Sequence, residues 1–326
     1  MTAQLPRVVM LDRGSLSPHS LDWRAWETPS FTLEMFDNTS PEQVLSRAKD
    51  ATVLLSNKVV IDEATIAACP QLQFISVMAT GVNNIALEAA RAKQITVSNA
   101  RDYGTESVAQ HTWMLILALS HRLYEYQQLL KGGAWSEHPF FALLSPGKVE
   151  LTGKTLGLIG LGTLGQAVAR KAGAFGMKVC ALHSSQPKQS NVDFEVQRLG
   201  LEELLAKSDI ISLHCPLTDQ NAGLINRRTL NLMKPGTLLI NTARGGLIES
   251  EDLLASLRSG HLGGAALDTL EVEPPPANHP LLTAELPNLL VTPHHAWGSQ
   301  RARQTLVDQT LENVVAYFNG SPIRTV

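Results

Sequence analysis

Cysteine is scarce in this chain of 326 residues: Cys69, Cys180 and Cys215 are the whole set, with no Cys-x-x-Cys pair. An odd, sparse set excludes a disulfide framework and a cysteine-based zinc site, and no metal centre is expected. Aromatic residues contribute only 5%, the formal net charge is −3, and Lys and Arg form no block. A nucleic-acid or anionic-membrane surface therefore has no electrostatic footprint, although one well-placed Arg suffices to bind a small anion. Long apolar runs are also missing. The strongest, Trp113 to Leu119, is far short of the roughly 20 residues of a membrane span, and Met1 to Asp12 has no signal-peptide core. A soluble, cytoplasmic protein is expected, in which Asn38-Thr39-Ser40 matches the glycosylation pattern by chance.

What is present is material for packed cores. Hydrophobic residues make up 44% and charged residues 17%, which excludes disorder for the chain as a whole. At roughly 150 residues per domain the length argues for about two domains. In the first hundred residues, β-like runs at Arg7–Leu11, Ala51–Ser56, Gln73–Met78 and Ile95–Ser98 alternate with helical stretches at Pro41–Asp50, Ile61–Ala68 and Leu87–Lys93. That alternation implies a parallel sheet with crossover helices. One long helix is expected from Thr105 to Lys131, followed by a loop from Gly132 to Gly153. A second series starts at Lys154, with strands at Thr155–Gly160, Lys178–Leu182, Asp209–Leu213, Thr237–Asn241, Gly264–Leu267 and Leu289–Val291. The last helix, Gln300 to Phe318, has no strand after it and must pack on something already built.

Gly160-Leu161-Gly162-Thr163-Leu164-Gly165 follows an apolar strand and opens a helix, the context that the dinucleotide fingerprint requires. Gly160 permits the tight turn, Gly162 admits the pyrophosphate against the backbone, and Gly165 lets helix approach strand. The free N–H groups of the helix N-terminus then meet the phosphate charge. Gly153-Lys154-Thr155 echoes a P-loop, but it precedes a strand and Lys148 occupies the first glycine position, so that reading fails. An acidic residue normally stands about 20 residues on, at the ribose hydroxyls. Here that slot holds His183, followed by Ser184, Ser185 and Lys188, with no carboxylate before Asp193. Either the site accepts a 2′-phosphate, or the segment is an ordinary loop of a protein that holds NAD through other contacts.

Arg244 (Asn241-Thr242-Ala243-Arg244-Gly245), Glu273 (Asp268 to Pro274) and His294 (Thr292-Pro293-His294) each follow a strand. Singly they read as a surface Arg, a solvated Glu and a packed His. Together they suit an active site, because catalytic groups in open α/β sheets gather at the carboxyl ends of strands.

These segments, with Ala79-Thr80-Gly81-Val82-Asn83-Asn84 and Thr105-Glu106-Ser107-Val108-Ala109-Gln110-His111, resemble the D-isomer-specific 2-hydroxyacid dehydrogenase family over nearly the whole chain, most closely its glycerate dehydrogenases, also called hydroxypyruvate reductases. The resemblance implies two Rossmann-like, doubly wound parallel-sheet domains. The nucleotide-binding domain (104–293) is inserted into a discontinuous substrate domain (1–103 and 294–326), whose last helix returns to pack on the N-terminal part. It implies that Arg244, Glu273 and His294 are catalytic. Arg244 would pair its planar fork with the substrate's carboxylate and carbonyl oxygen. His294 would transfer the proton, and Glu273 would hold the imidazole. Backbone N–H groups at Ala79, Thr80 and Gly81 would grip the carboxylate. The implied cofactor contacts are Val108 on the nicotinamide face, Gly160, Gly162, Thr163, Leu164, Gly165, His183, Ser184, Pro216, Thr218, Thr242, Ala243, Arg244, Asp268 at the carboxamide, and His294. Glu271 and His295 are read as structural.

The family often has Asp where this chain has Asn83, which leaves the chemistry intact. The absence of a further domain after the last helix argues against the longer phosphoglycerate dehydrogenases, and Glu273 rather than Gln argues against formate dehydrogenases. The expected activity is NAD(P)-dependent reduction of a small 2-keto acid such as hydroxypyruvate or glyoxylate. Acceptance of NADP(H) is favoured over strict use of NAD(H), and a homodimer through residues 105–131 and the loop beyond is implied. A nucleotide-sensing corepressor-like protein of the same fold is the alternative.

Overall fold

The computed structural model describes residues 5–184, 192 and 194–326. Ser185, Lys188 and Asp193 lie outside the described residues. The chain divides into two compact units, Met1–Gly104 with Gly298–Val326, and Thr105–Trp297. The second division falls after Trp297, later than the boundary expected at residue 293. The N–H groups of His295 and Ala296 donate to the Asp268 carboxylate, at 3.1 and 2.9 Å, and tie this segment to the second unit.

The first unit holds five strands: β1 (Arg7–Met10), β2 (Thr32–Met35), β3 (Val53–Ser56), β4 (Phe74–Val77) and β5 (Thr96–Ser98). All pair in parallel, in the order β2-β1-β3-β4-β5. The inner strands β3 and β4 are buried throughout, so they read as continuous apolar runs. Edge strand β2, Thr-Leu-Glu-Met, carries no such signal, and the sequence does not reveal it. The helix Gln300–Phe318 belongs to this unit, where Tyr317 stacks on Phe74 at 4.5 Å and Asn313 bonds Ser76 and the Asn99 carbonyl.

The second unit holds seven parallel strands: β6 (Thr155–Ile159), β7 (Lys178–Leu182), β8 (Gln197–Leu199), β9 (Ile210–Leu213), β10 (Thr237–Asn241), β11 (Leu262–Leu267) and β12 (Leu289–Val291). Their order is β12-β11-β10-β9-β6-β7-β8. The chain order reverses between β6 and β9, the switch point where doubly wound sheets bind ligands. The helix expected over Thr105–Lys131 is two helices, Thr105–Ser120 and Leu123–Lys131, because Arg122 takes a left-handed φ of 50°. On one face of the sheet, Trp113 of the first of these stacks on Phe175 and donates to the Val168 carbonyl.

Candidate active site

The glycine turn sits at the carboxyl end of β6. Gly160 has a φ of 108°, and a Cβ there would stand 2.5 Å from the His214 carbonyl oxygen, so only glycine fits. A Cβ on Gly165 would run into the Gly160 carbonyl. Beside Gly162, by contrast, a Cβ would meet nothing within 4 Å. Gly162 caps the helix Thr163–Ala174. The turn thus offers open space against backbone at a helix N-terminus, which fits a dinucleotide pyrophosphate.

His214, after β9, packs under this turn. Its N–H donates to the Ile159 carbonyl, its Nε2 lies 2.9 Å from Ser212 Oγ, and its Nδ1 is buried with no hydrogen-bond partner among the described residues. Burial lowers its pKa from 6.5 to about 4.

His183 lies just past β7, its N–H bonded to the Leu199 carbonyl. The sequence did not single out Arg198 of β8, whose Nη1 donates to the Leu182 carbonyl at 3.3 Å. Arg198 is half-buried and forms no ion pair among the described residues. Strand pairing aligns Arg198 with Ala181 and brings its guanidinium to the strand end where the acid is missing. Its signal in the sequence was weak, a lone Arg in a short edge strand.

Asn241, buried at the end of β10, accepts from the Ala243 N–H at 2.9 Å and donates to the Arg244 carbonyl at 2.8 Å. The sequence did not single it out either, although a polar residue closing the apolar run Thr-Leu-Leu-Ile was a usable signal. These bonds fix the turn that leaves Arg244 exposed, with its Nη1 on the Ala243 carbonyl and no ion pair among the described residues. Thr242 is buried, its hydroxyl 3.2 Å from that of Thr112, and Val108 is buried on the same helix as Thr112. Thr218 and Pro216 are exposed in a turn closed by Asn221, which accepts from the Thr218 N–H and donates to the Pro216 carbonyl.

Glu273 and His294 come together as a pair. Glu273 Oε2 lies 2.6 Å from His294 Nδ1, and Oε1 accepts from the Leu270 N–H at 3.0 Å. The carboxylate on Nδ1 fixes the proton there and leaves Nε2 without a hydrogen-bond partner among the described residues. His294 has a left-handed φ of 50°, and its carbonyl accepts from Trp297 Nε1. Asp268, 1% exposed, accepts from the Thr292 hydroxyl at 2.6 Å and from the N–H groups of His295 and Ala296. Burial pushes its pKa up, but hydrogen bonds from His111, Thr292 and Ala296 more than offset this and hold it below the usual carboxylate range. Glu271 accepts from Ser250 and pairs with the buried His279 at 3.2 Å. In the first unit, Ala79, Thr80 and Gly81 follow β4. The Ala79 carbonyl accepts from the Ala100 N–H, and that of Thr80 from Asn99 Nδ2.

Among the described residues, no helix is long and apolar enough to cross a membrane. Residues 113–296 match the family described as D-isomer specific 2-hydroxyacid dehydrogenase, NAD binding domain. The chain is 36% identical to a hydroxypyruvate reductase of Blautia hydrogenotrophica, over 98% of this chain and 99% of that protein. It is 38% identical to a glycerate dehydrogenase of Methylorubrum extorquens, over 98% of each. Its structure is similar to that of an NADPH-dependent glyoxylate/hydroxypyruvate reductase from Sinorhizobium meliloti in complex with NADP and malonate, with a TM-score of 0.82, 26% identity, and 98% and 96% of the two chains covered. With the glycine turn at the switch point of its second sheet, the chain belongs to the D-isomer-specific 2-hydroxyacid dehydrogenases and carries their NAD-binding domain.

Proposed function

We propose that the protein reduces a small 2-keto acid of the hydroxypyruvate or glyoxylate type to the D-2-hydroxy acid, with His294 as acid and base. The observation that carries this reading is the Glu273–His294 pair, held at 2.6 Å through Nδ1, with Nε2 left to face a reacting group. The nicotinamide, when bound, supplies or accepts the hydride. His294 Nε2 gives the proton to the keto oxygen during reduction and takes it back in the reverse direction. The Glu273 carboxylate keeps the imidazole oriented and balances its charge. Arg244 presents several N–H donors in a plane, which suits a carboxylate beside a keto oxygen better than a Lys ammonium would. Nothing in the fold or the relatives favours the nucleotide-sensing alternative.

The same reading extends to the cofactor. An acid at the end of β7 would repel a 2′-phosphate. This chain has His183 there and the guanidinium of Arg198 beside it, both able to donate to a phosphate. The protein therefore uses NADPH at least as well as NADH. A homodimer is proposed as well, on the exposed apolar side chains Phe140, Phe141 and Leu144 beyond the helix Leu123–Lys131. A light-scattering mass near the 35.4 kDa of one chain would refute it.

Turnover of hydroxypyruvate, glyoxylate and pyruvate with each reduced cofactor is the direct test. A protein inactive on all three with both cofactors would overturn the reading. Arg198→Ala should weaken binding of 2′,5′-ADP by roughly 10-fold, the loss of one charge-assisted hydrogen bond, and leave 5′-ADP unchanged. Equal affinity of the parent protein for the two ligands would refute the 2′-phosphate site.

A further inference from the structure

We infer that Ser107 and His111, one turn apart on the helix Thr105–Ser120, are positioning residues that hold the main-chain segment presenting His294. The inference rests on the acid–base reading of His294. His294 adopts a φ of 50°, a conformation that a non-glycine residue keeps only when its surroundings impose it. The surroundings are unusually complete. Ser107 Oγ donates to the Ala296 carbonyl at 2.7 Å, on the far side of His294. On the near side, His111 Nε2 lies 3.0 Å from Thr292 Oγ1 and 3.4 Å from Asp268 Oδ1.

The direction of the His111 bond follows from proton counting. Thr292 has one hydroxyl proton and gives it to Asp268 at 2.6 Å, so its oxygen can only accept from His111. That places a proton on His111 Nε2. Asp268 meanwhile receives the N–H groups of His295 and Ala296. The segment 292–296 is thus fixed by one side chain from below, Asp268, and by two from the helix, each at a different end of the turn. Side chains four apart share one helix face, which lets a single rigid element engage both ends.

The His295 ring stands edge-on to His111 at 5.0 Å, and the donor atoms of His111, Asp268 and His295 lie within 4.8 Å of one another. Proximity of this kind also suits a cation. Here Asp268 already accepts from the Thr292 hydroxyl and two main-chain N–H groups, with His111 Nε2 beside them, so the hydrogen bonds account for the gathering.

The test compares Ser107→Ala, His111→Ala, His111→Gln and His294→Ala in the full chain. Each is followed by thermal melting, by the cofactor dissociation constant from fluorescence, and by steady-state kinetics. The imidazole proton that His294 shares with Glu273 is followed by nuclear magnetic resonance, where a short charge-assisted bond puts it far downfield. Ser107→Ala and His111→Ala are expected to bind cofactor within twofold of the parent, to lose about 10- to 10²-fold in kcat through misplacement of the donor, and to broaden or lose the downfield proton. His111→Gln, which restores an N–H donor near the Nε2 position, should recover most of both signals. A merely structural role would lower the melting temperature and leave kcat of the folded protein and the downfield proton as they were. Parent-like kcat in both alanine variants alongside an inactive His294→Ala overturns the positioning role alone. A His294→Ala protein that turns over normally overturns the acid–base reading and the inference with it. If His111→Ala does not fold, Ser107→Ala and His111→Gln decide the matter by the same readouts.

Discussion

In the Glu273–His294 pair both side chains reach solvent, at 34% and 26% exposure, and the carboxylate fixes one ring nitrogen while the other has no partner among the described residues. In the Asp268–His111 pair the exposures are 1% and 10%, and the carboxylate also accepts from a hydroxyl and two main-chain N–H groups. The chemical groups are the same, but burial and the number of donors assign them opposite uses. On the proposed reading, a half-exposed carboxylate set against one ring nitrogen orients an imidazole that works through the other. A buried carboxylate that already holds three donors acts as a structural post, and removing it leaves those donors without acceptors. In the Glu271–His279 pair only the imidazole is buried: the Leu281 N–H donates to its Nδ1, so Nε2 carries the proton toward the carboxylate.

The largest expected effect lies in the exposed pair. His294→Ala should lower kcat by roughly 10²–10⁴-fold with cofactor binding intact. Near-normal turnover would place the proton elsewhere. Removing its partner gives a smaller loss: Glu273→Gln keeps atoms of similar shape without the charge, and kcat should fall roughly 10- to 10²-fold through misplacement of the ring. An unchanged kcat would leave Glu273 with no part in orienting the ring.

The buried pair should answer in stability instead. Asp268→Ala strands the Thr292 hydroxyl and two N–H groups, at about 1–3 kcal/mol each, so its urea midpoint should drop sharply. Glu273→Ala should cost less, about 1 kcal/mol, because its carboxylate is half-buried and water can replace it at the Leu270 N–H and the His294 ring. Equal losses in the two variants would erase the contrast between the pairs. Because hydrogen bonding holds the Asp268 carboxyl low, its stabilising contribution is complete above the unfolded carboxylate range. It is lost only as pH falls through the lower folded value.

The smallest effect concerns His214, kept neutral under the glycine turn. Its pKa is about 4 when folded, against 6.5 for a solvated imidazole, so between these values the unfolded chain binds more protons. Stability from this group therefore declines as pH falls from 6.5 towards 4 and is flat above. His214→Gln should flatten that decline in denaturant midpoints measured across the range. An unaltered slope would show that the imidazole does not titrate on unfolding.

Much of this was legible in the residues themselves. Inner strands of parallel sheets are buried on both faces, so Val53–Ser56, Phe74–Val77 and Thr237–Asn241 announce themselves as apolar runs. The glycine spacing between Gly160 and Gly165 encodes a backbone path that other residues cannot follow. Edge strands β2 and β8 escaped because one side of each has no neighbour and tolerates Glu34 or Arg198. The break at Arg122 carries no Gly or Pro to mark it, and propensity alone would continue the helix.

The sequence by itself determined the fold class and the fingerprint turn, because local pattern and residue chemistry suffice for these, and through the family resemblance it nominated Arg244, Glu273 and His294 as a set. Only the tertiary structure decided which imidazole meets which carboxylate. Glu273 and His294 are 21 positions apart, and His111 and Asp268 are brought together from a helix and a distant strand end. A pairing of that kind depends on chain crossovers and on burial, which set both the distance and the number of competing donors, and neither quantity is written in any single stretch of residues.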